Sequence, residues 1–234
     1  MKPSEFNIDN VQMELGTYNT KYKAHRIRIY YTTQDNNKTN LLIHAPVMFT
    51  YGIQENKGSG YSLPLVCNEL TKPFIDVIEQ LENKCKEFLR TKDIAKILNK
   101  ANLNVYAESM NTFYRKMVDG IPCDTSSPIL YARLRTSFKE PEKITTSFHQ
   151  VDSVKQQIVD LDPLMLGSSR FKCMATLEIG CIYCGTKPSL QIRANTVIVG
   201  QKYGQQKGCN FEARVYSDIS QDELESLFEK ESSE

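Results

Sequence analysis

Cations interleaved with tyrosines are the residues of this chain best suited to chemistry. In RIRIYY, Arg26, Arg28 and Tyr30 occupy every second position, and in LYARLR, Tyr131, Arg133 and Arg135 do the same. A strand sends alternate side chains to one face, so each triplet would stand in a row. Lys172, Tyr183, Arg193, Lys202 and Tyr203 follow in later alternating segments. Guanidinium and ammonium groups meet phosphates, and phenol rings stack on unpaired bases. Together they hold a nucleic-acid single strand without reading its sequence. Twelve tyrosines against no tryptophan make the aromatic set tyrosine-heavy. Arg and Tyr are also ordinary residues of half-buried strand surfaces, so the pattern is not specific by itself.

Other chemistry is thinly represented. His25, His44 and His149 lie in unrelated contexts, without metal-ligand spacing between them. The chain has no Gly-rich phosphate loop, nucleophile elbow or paired-carboxylate signature. Cys181 and Cys184 form a C-x-x-C followed by Gly, which is half of a zinc ribbon. A closed zinc site takes four ligands, and Cys173 and Cys209 have the wrong spacing to complete one. A redox reading would need the pair at a helix N-terminus, whereas it sits at the end of a predicted strand. Two free thiols is the plainer reading and zinc the alternative. The expectation is a binding protein with no cofactor and no catalytic residue.

The elements that must position these residues are mostly strands. Periodicity predicts strands over 20–32, 41–53, 61–66, 128–138, 171–183 and 189–203. Pro46 implies an edge position or a bulge in the second of these. The last two read as a hairpin around CGTKP, 184–188. The main helix spans 71–90, where Phe74, Val77, Ile78, Leu81, Cys85, Phe88 and Leu89 make one apolar stripe. Thr71 suits its N-cap and Pro73 its first turn. A shorter helix follows over 92–100, the pattern over 101–127 is mixed, and 150–169 reads as a loop or partly helical insertion. The fold class is therefore β-rich α+β, with residues 1–20 as an N-terminal arm or edge strand, 21–216 as one domain and 217–234 as a tail.

Charge divides the chain further. Residues 217–234 hold seven acids against one base, a net of −6, while the remainder carries 28 bases against 21 acids, a net of +7. A basic body with an acidic tail suggests an anionic partner for the body and a separate role for the tail. The N-terminal residues lack an apolar signal region, and no apolar run reaches the roughly 20 residues of a spanning helix. Seven scattered cysteines then fit reduced thiols. The expected setting is a cell interior, without secretion or membrane insertion.

The segments HAPVMFTYGIQENKGSGYSLPL, SPILYARLRTSF and TLEIGCIYCGTKPSLQIRANTVIV resemble the replicative single-stranded DNA-binding proteins of nucleocytoplasmic large DNA viruses. The similarity is closer to the African swine fever virus protein than to the poxvirus phosphoprotein. It covers roughly residues 40–90 and 128–200 and rests on the order of blocks. The resemblance implies an OB-like antiparallel barrel, single-stranded DNA binding and no catalysis, in a viral factory of the host cytoplasm or in the host nucleus. It maps the family's Arg-x-Arg strand onto Arg133 and Arg135, and a tyrosine surface onto Tyr30, Tyr131, Tyr183 and Tyr203. Replication enzymes are then the expected tail partners, with self-association a further expectation. Two rival functions are a virion or scaffold protein assembling through strand edges, and a zinc-ribbon transcription accessory protein built on Cys181 and Cys184.

Overall fold

The longest alternating segments of the chain become its longest strands. In the computed structural model, which describes residues 1–203 except 22, 124, 153–156 and 168, the elements run as follows. Strands β1 (Val11–Leu15), β2 (His25–Thr32), β3 (Lys38–His44), β4 (Met48–Thr50), β5 (Gln54–Asn56) and β6 (Gly60–Val66) lead into helices α1 (Lys72–Leu89), α2 (Lys92–Leu98) and α3 (Leu103–Glu108). Then come β7 (Phe113–Tyr114), β8 (Met117–Val118), β9 (Ile121–Pro122) and β10 (Ile129–Leu134). The described chain ends with β11 (Ser147–Asp152), β12 (Gln157–Asp160), β13 (Arg170–Cys184) and β14 (Pro188–Tyr203).

Strand β13 organises the sheet. Its residues 181–184 pair with β2, 176–179 with β3, and 171–173 with β4. Three register irregularities along its pairing with β14 let one long strand bend past three partners in succession. A circuit of five strands also closes on itself, since β13 pairs β4, β4 pairs β6, β6 pairs β10, β10 pairs β14, and β14 pairs β13. The buried alternates of these strands, among them Leu63, Leu65, Leu130, Ala132, Leu177 and Ala194, belong to one core.

Helix α1 closes that core on the face opposite the cations. Phe74, Ile75, Val77, Ile78, Leu81, Cys85 and Leu89 are buried, with Phe88 only partly so. Cys85 of the helix and Cys184 of β13 are buried in the same core, and Cys184 is in register with His25 on the same side of the sheet as Ile27. The turn before the helix is a reciprocal cap: Asn68 Oδ1 accepts from Thr71 N at 3.2 Å, and Thr71 Oγ1 accepts from Asn68 N at 2.9 Å. Thr71 therefore stands at the N-cap, as predicted, with its hydroxyl turned to the preceding turn.

Two expectations are corrected. The sheet is mixed rather than antiparallel throughout, because β14 pairs in parallel with both β10 and β11. The segment 150–169 is only in part the expected loop or partly helical insertion: Pro163–Leu166 form a short 3-10 turn, whereas 150–152 and 157–160 belong to two strands, β11 and β12, at the sheet margin. Phe148, Val151, Ile158 and Leu161 recur at spacings a helix would also accept. The strand assignment is decided by a partner, since Val151, Met174 and Ile198 make a small second core. That cover also explains why Val197, Ile198 and Val199 are buried in an unbroken run. Pro46 separates β3 from β4, and β1 is an edge strand on β2. The acidic tail lies outside the described residues.

Candidate nucleic-acid interface

Cross-strand register brings the separated cation–tyrosine segments onto one surface. Arg28 stands opposite Cys181, which stands opposite Gln191; Arg26 stands opposite Tyr183, which stands opposite Ser189. On the next strands Arg193 is in register with Glu178 on one side and Arg133 on the other, and Arg133 with Ser62. Arg26, Arg28, Arg133 and Arg193 are all exposed. Each is outward because its neighbours Ile27, Ile29, Ala132 and Ala194 are buried.

Two adjoining clefts run along this surface. The larger, about 750 Å³, lies between Tyr131 and Arg133 of β10, Tyr183 near the β13–β14 turn, and Asn56 and Ser59 beside β5. The smaller, about 410 Å³, lies between Tyr18, Arg28, Tyr30 and Glu178. Arg26, Cys181, Gln191 and Arg193 are walls of both. Burial pushes the Cys181 thiol up, against the opposing pull of Arg26, Arg193 and Arg28. Three guanidiniums from two strands thus converge on one point.

The cations differ in what else they meet. Among the described residues, Arg26, Arg133 and Arg193 make no ion pair. Arg28 Nη1 donates to Tyr30 Oη at 3.5 Å, which raises the guanidinium pKa, and Lys38 Nζ stands 5.8 Å from the Tyr30 ring centre. Arg135 is engaged by Glu178 and so presents less charge to solvent. Tyr131 is 41% exposed; partial burial first, then Tyr114 and Tyr51, raise its pKa, so it stays a neutral phenol at ordinary pH. Tyr183 lies against Gly185, where an added Cβ would come within 2.7 Å of the ring. Gly185 O in turn accepts from Lys100 Nζ at 3.0 Å and Tyr106 Oη at 3.2 Å.

Seven of the candidate residues therefore line the clefts: Arg26, Arg28, Tyr30, Tyr131, Arg133, Tyr183 and Arg193. Arg135 is attached through Glu178. Lys172, Lys202 and Tyr203 belong to the far end of the β13–β14 hairpin and line neither cleft. Burial lowers the Lys202 pKa, and the Tyr203 ring lies 5.9 Å from that of Phe49. Cys181 and Cys184 fall on opposite faces of β13, the first on the cleft and the second buried beside Tyr106, with its thiol pushed up to about 12 by burial. Strand alternation separates the two thiols as ligands. Asn56, Ser59 and Gln191 were not anticipated. Gln191 alternates with Ser189 and Arg193, a pattern that the sequence does carry.

A family model described as "Protein of unknown function (DUF2738)" matches residues 7–234. The chain belongs to the DUF2738 family. This DUF2738 chain is 29% identical, over 196 residues, to the "Early 31 kDa protein" of Frog virus 3 (isolate Goorha), covering 79% of this chain and 73% of that protein. In structure it is similar to the single-stranded DNA-binding protein of bacteriophage Enc34, at 13% identity and a TM-score of 0.42, over 85% of this chain and 96% of the phage protein. The phage protein in complex with single-stranded DNA matches with a TM-score of 0.41 at 12% identity, over 84% and 99% of the two chains.

Proposed function

We propose that this protein binds single-stranded DNA without sequence preference, along the two clefts that share Arg26 and Arg193. The observation that carries the reading is the convergence of Arg26, Arg28, Arg133 and Arg193 with Tyr131 and Tyr183 around one groove. Arg133 and Arg193 are side by side on paired strands, an arrangement that repels unless an anion lies over it. A phosphodiester chain supplies that anion, and the tyrosine rings supply stacking. The reading is of binding alone.

An OB-like barrel is the matching architecture. Strands β4, β6, β10, β13 and β14 would be its five strands, supported by their closed circuit of pairings. OB barrels bind oligonucleotides at the face of the second and third strands and at the loops joining strands one–two and four–five. In this chain those are β6 and β10, residues 51–59 and residues 185–187. The larger cleft is lined by Ser62, Tyr131 and Arg133 from the two strands and by Asn56 and Ser59 from the first loop. The role in view is coating unpaired DNA during viral genome replication, repair or recombination. Kinship with the African swine fever virus and poxvirus proteins is part of the proposal, supported by the shared order of sequence blocks.

The acidic residues 217–234 would meet a replication enzyme or compete with DNA for the groove. Self-association is supported by the β8–β9 hairpin, which exposes Met117, Val118 and Ile121. The deciding experiment is a fluorescence-anisotropy titration of labelled oligo-dT, with duplex competitor and a salt series. Four phosphate contacts predict log K falling with log[salt] at a slope of about −2.8. Equal affinity for duplex, or a slope near zero, would refute the reading.

A further inference from the structure

Outside the clefts, the aromatic rings continue across the sheet. The Phe49 ring lies 5.2 Å from Tyr51 and 5.9 Å from Tyr203, and Tyr131 lies 6.0 Å from Tyr114. Register explains the arrangement. Lys172, Phe49, Val66, Ile129 and Tyr114 stand in one row across β13, β4, β6, β10 and β7. The next row toward the clefts holds Pro64 opposite Tyr131, and the one after it Ser62 opposite Arg133. Tyr131, a wall of the larger cleft, is thus also the near edge of the aromatic face.

The face has features that favour nucleic acid over a protein partner. Tyr51 and Tyr114 are 43% and 51% exposed over a floor that includes half-buried Val66 and Ile129. Cations stand at both ends, Lys172 on one side and exposed Lys116, two positions beyond Tyr114, on the other, and the rows between contain no carboxylate. With strands about 4.8 Å apart, four spacings from β13 to β7 span about 19 Å. That is room for up to about five stacked nucleotides at ~3.4 Å each.

We infer that a DNA strand leaving the arginine-lined clefts past Tyr131 continues over this face, stacking on Tyr51 and Tyr114 and meeting Lys172 at its far side. The inference rests on the proposed single-strand binding and extends its footprint. It also gives Lys172 and Tyr203, remote from the clefts, a place on the same path.

The test compares oligo-dT of about 5 and about 15 nucleotides by anisotropy. Tyr51→Ala and Tyr114→Ala should each weaken the longer oligonucleotide by roughly 5- to 100-fold and leave the shorter one unchanged. Tyr51→Phe and Tyr114→Phe should retain wild-type affinity, because the ring is kept. Wild-type affinity for the longer strand in both Ala variants would overturn the inference while leaving the clefts as a binding site. So would loss of self-association in sedimentation with unchanged DNA binding, which would assign the face to a second copy. Failure of both oligonucleotides to bind the wild-type protein would instead refute the parent reading. Independently of folding in the variants, photo-crosslinking the wild-type protein to a 5-iodouracil-substituted longer strand should label Tyr51 or Tyr114. Labels confined to Tyr131 and Tyr183 would end the proposal.

Discussion

Arg193 sits between Glu178 and Arg133, yet Glu178 makes its ion pair with Arg135. Two neighbouring guanidiniums on paired strands repel each other, and that repulsion is relieved when a phosphate lies over both. Arg193→Gln should therefore hold or raise the melting temperature while lessening the salt slope by about 0.7. A lower melting temperature with unchanged binding would make Arg193 structural. Glu178→Gln should act in the opposite sense, releasing Arg135 to the DNA and steepening the slope, as a salt series would read. Stacking is separable because it is insensitive to salt. Tyr131→Ala should cost roughly 1–3 kcal/mol of single-strand affinity, and Tyr131→Phe should be nearly silent.

At the scale of elements, the β13–β14 turn and the α1 cap have different consequences. Gly185 admits the Tyr183 ring, with an added Cβ only 2.7 Å from Cε1. Gly185→Ala should displace that ring and weaken binding, with a detectable loss in thermal stability. The Asn68–Thr71 cap lies in the turn that leads into α1, away from the clefts. Asn68→Ala should cost about 1 kcal/mol in denaturant unfolding and leave oligo-dT affinity unaltered. The contrast between the two variants tests whether the hairpin, rather than general stability, governs binding. Strand β13 is the element that joins core and interface, since its bulges turn Cys181 and Glu178 to the same face on either side of Gly180.

For the whole molecule, charge and pH provide the handles. The −6 segment 217–234, tethered to a +7 remainder, would act at a high effective concentration near the groove. Truncation after Tyr216 should raise single-strand affinity, most at low salt where screening is weakest; a lowered melting temperature with unaltered affinity would make the tail structural. His44 supplies a pH signature. Burial, then the Met1 ammonium, holds its pKa below the ordinary 6.5, and its Nδ1 lies 3.1 Å from Thr176 Oγ1. The unfolded chain therefore takes up the proton first as pH falls. The stability this neutral ring contributes is present above about pH 6.5 and declines below it toward the folded-state pKa. His44→Gln should flatten that part of the unfolding pH profile.

Local pattern determined the parts of this protein whose buried and exposed residues alternate or recur without ambiguity. The 171–203 hairpin, the α1 stripe and the outward rows at Arg26–Tyr30 and Tyr131–Arg135 are all of that kind, because backbone geometry alone assigns their faces. Strands of two or three residues such as β4 and β7 carry too few positions to show a period. Phe49 and Tyr114 consequently gave no sign of sharing a row with Lys172. The spacing of Phe148, Val151 and Ile158 satisfied two structures equally, and only the cover offered by Met174 and Ile198 selected strands. Tertiary structure likewise decided which cations meet. Arg133 and Arg193 lie 60 positions apart in the chain, and a parallel pairing that no local signal specifies makes them neighbours. Faces are properties of a segment, whereas register between distant strands depends on the core they jointly bury.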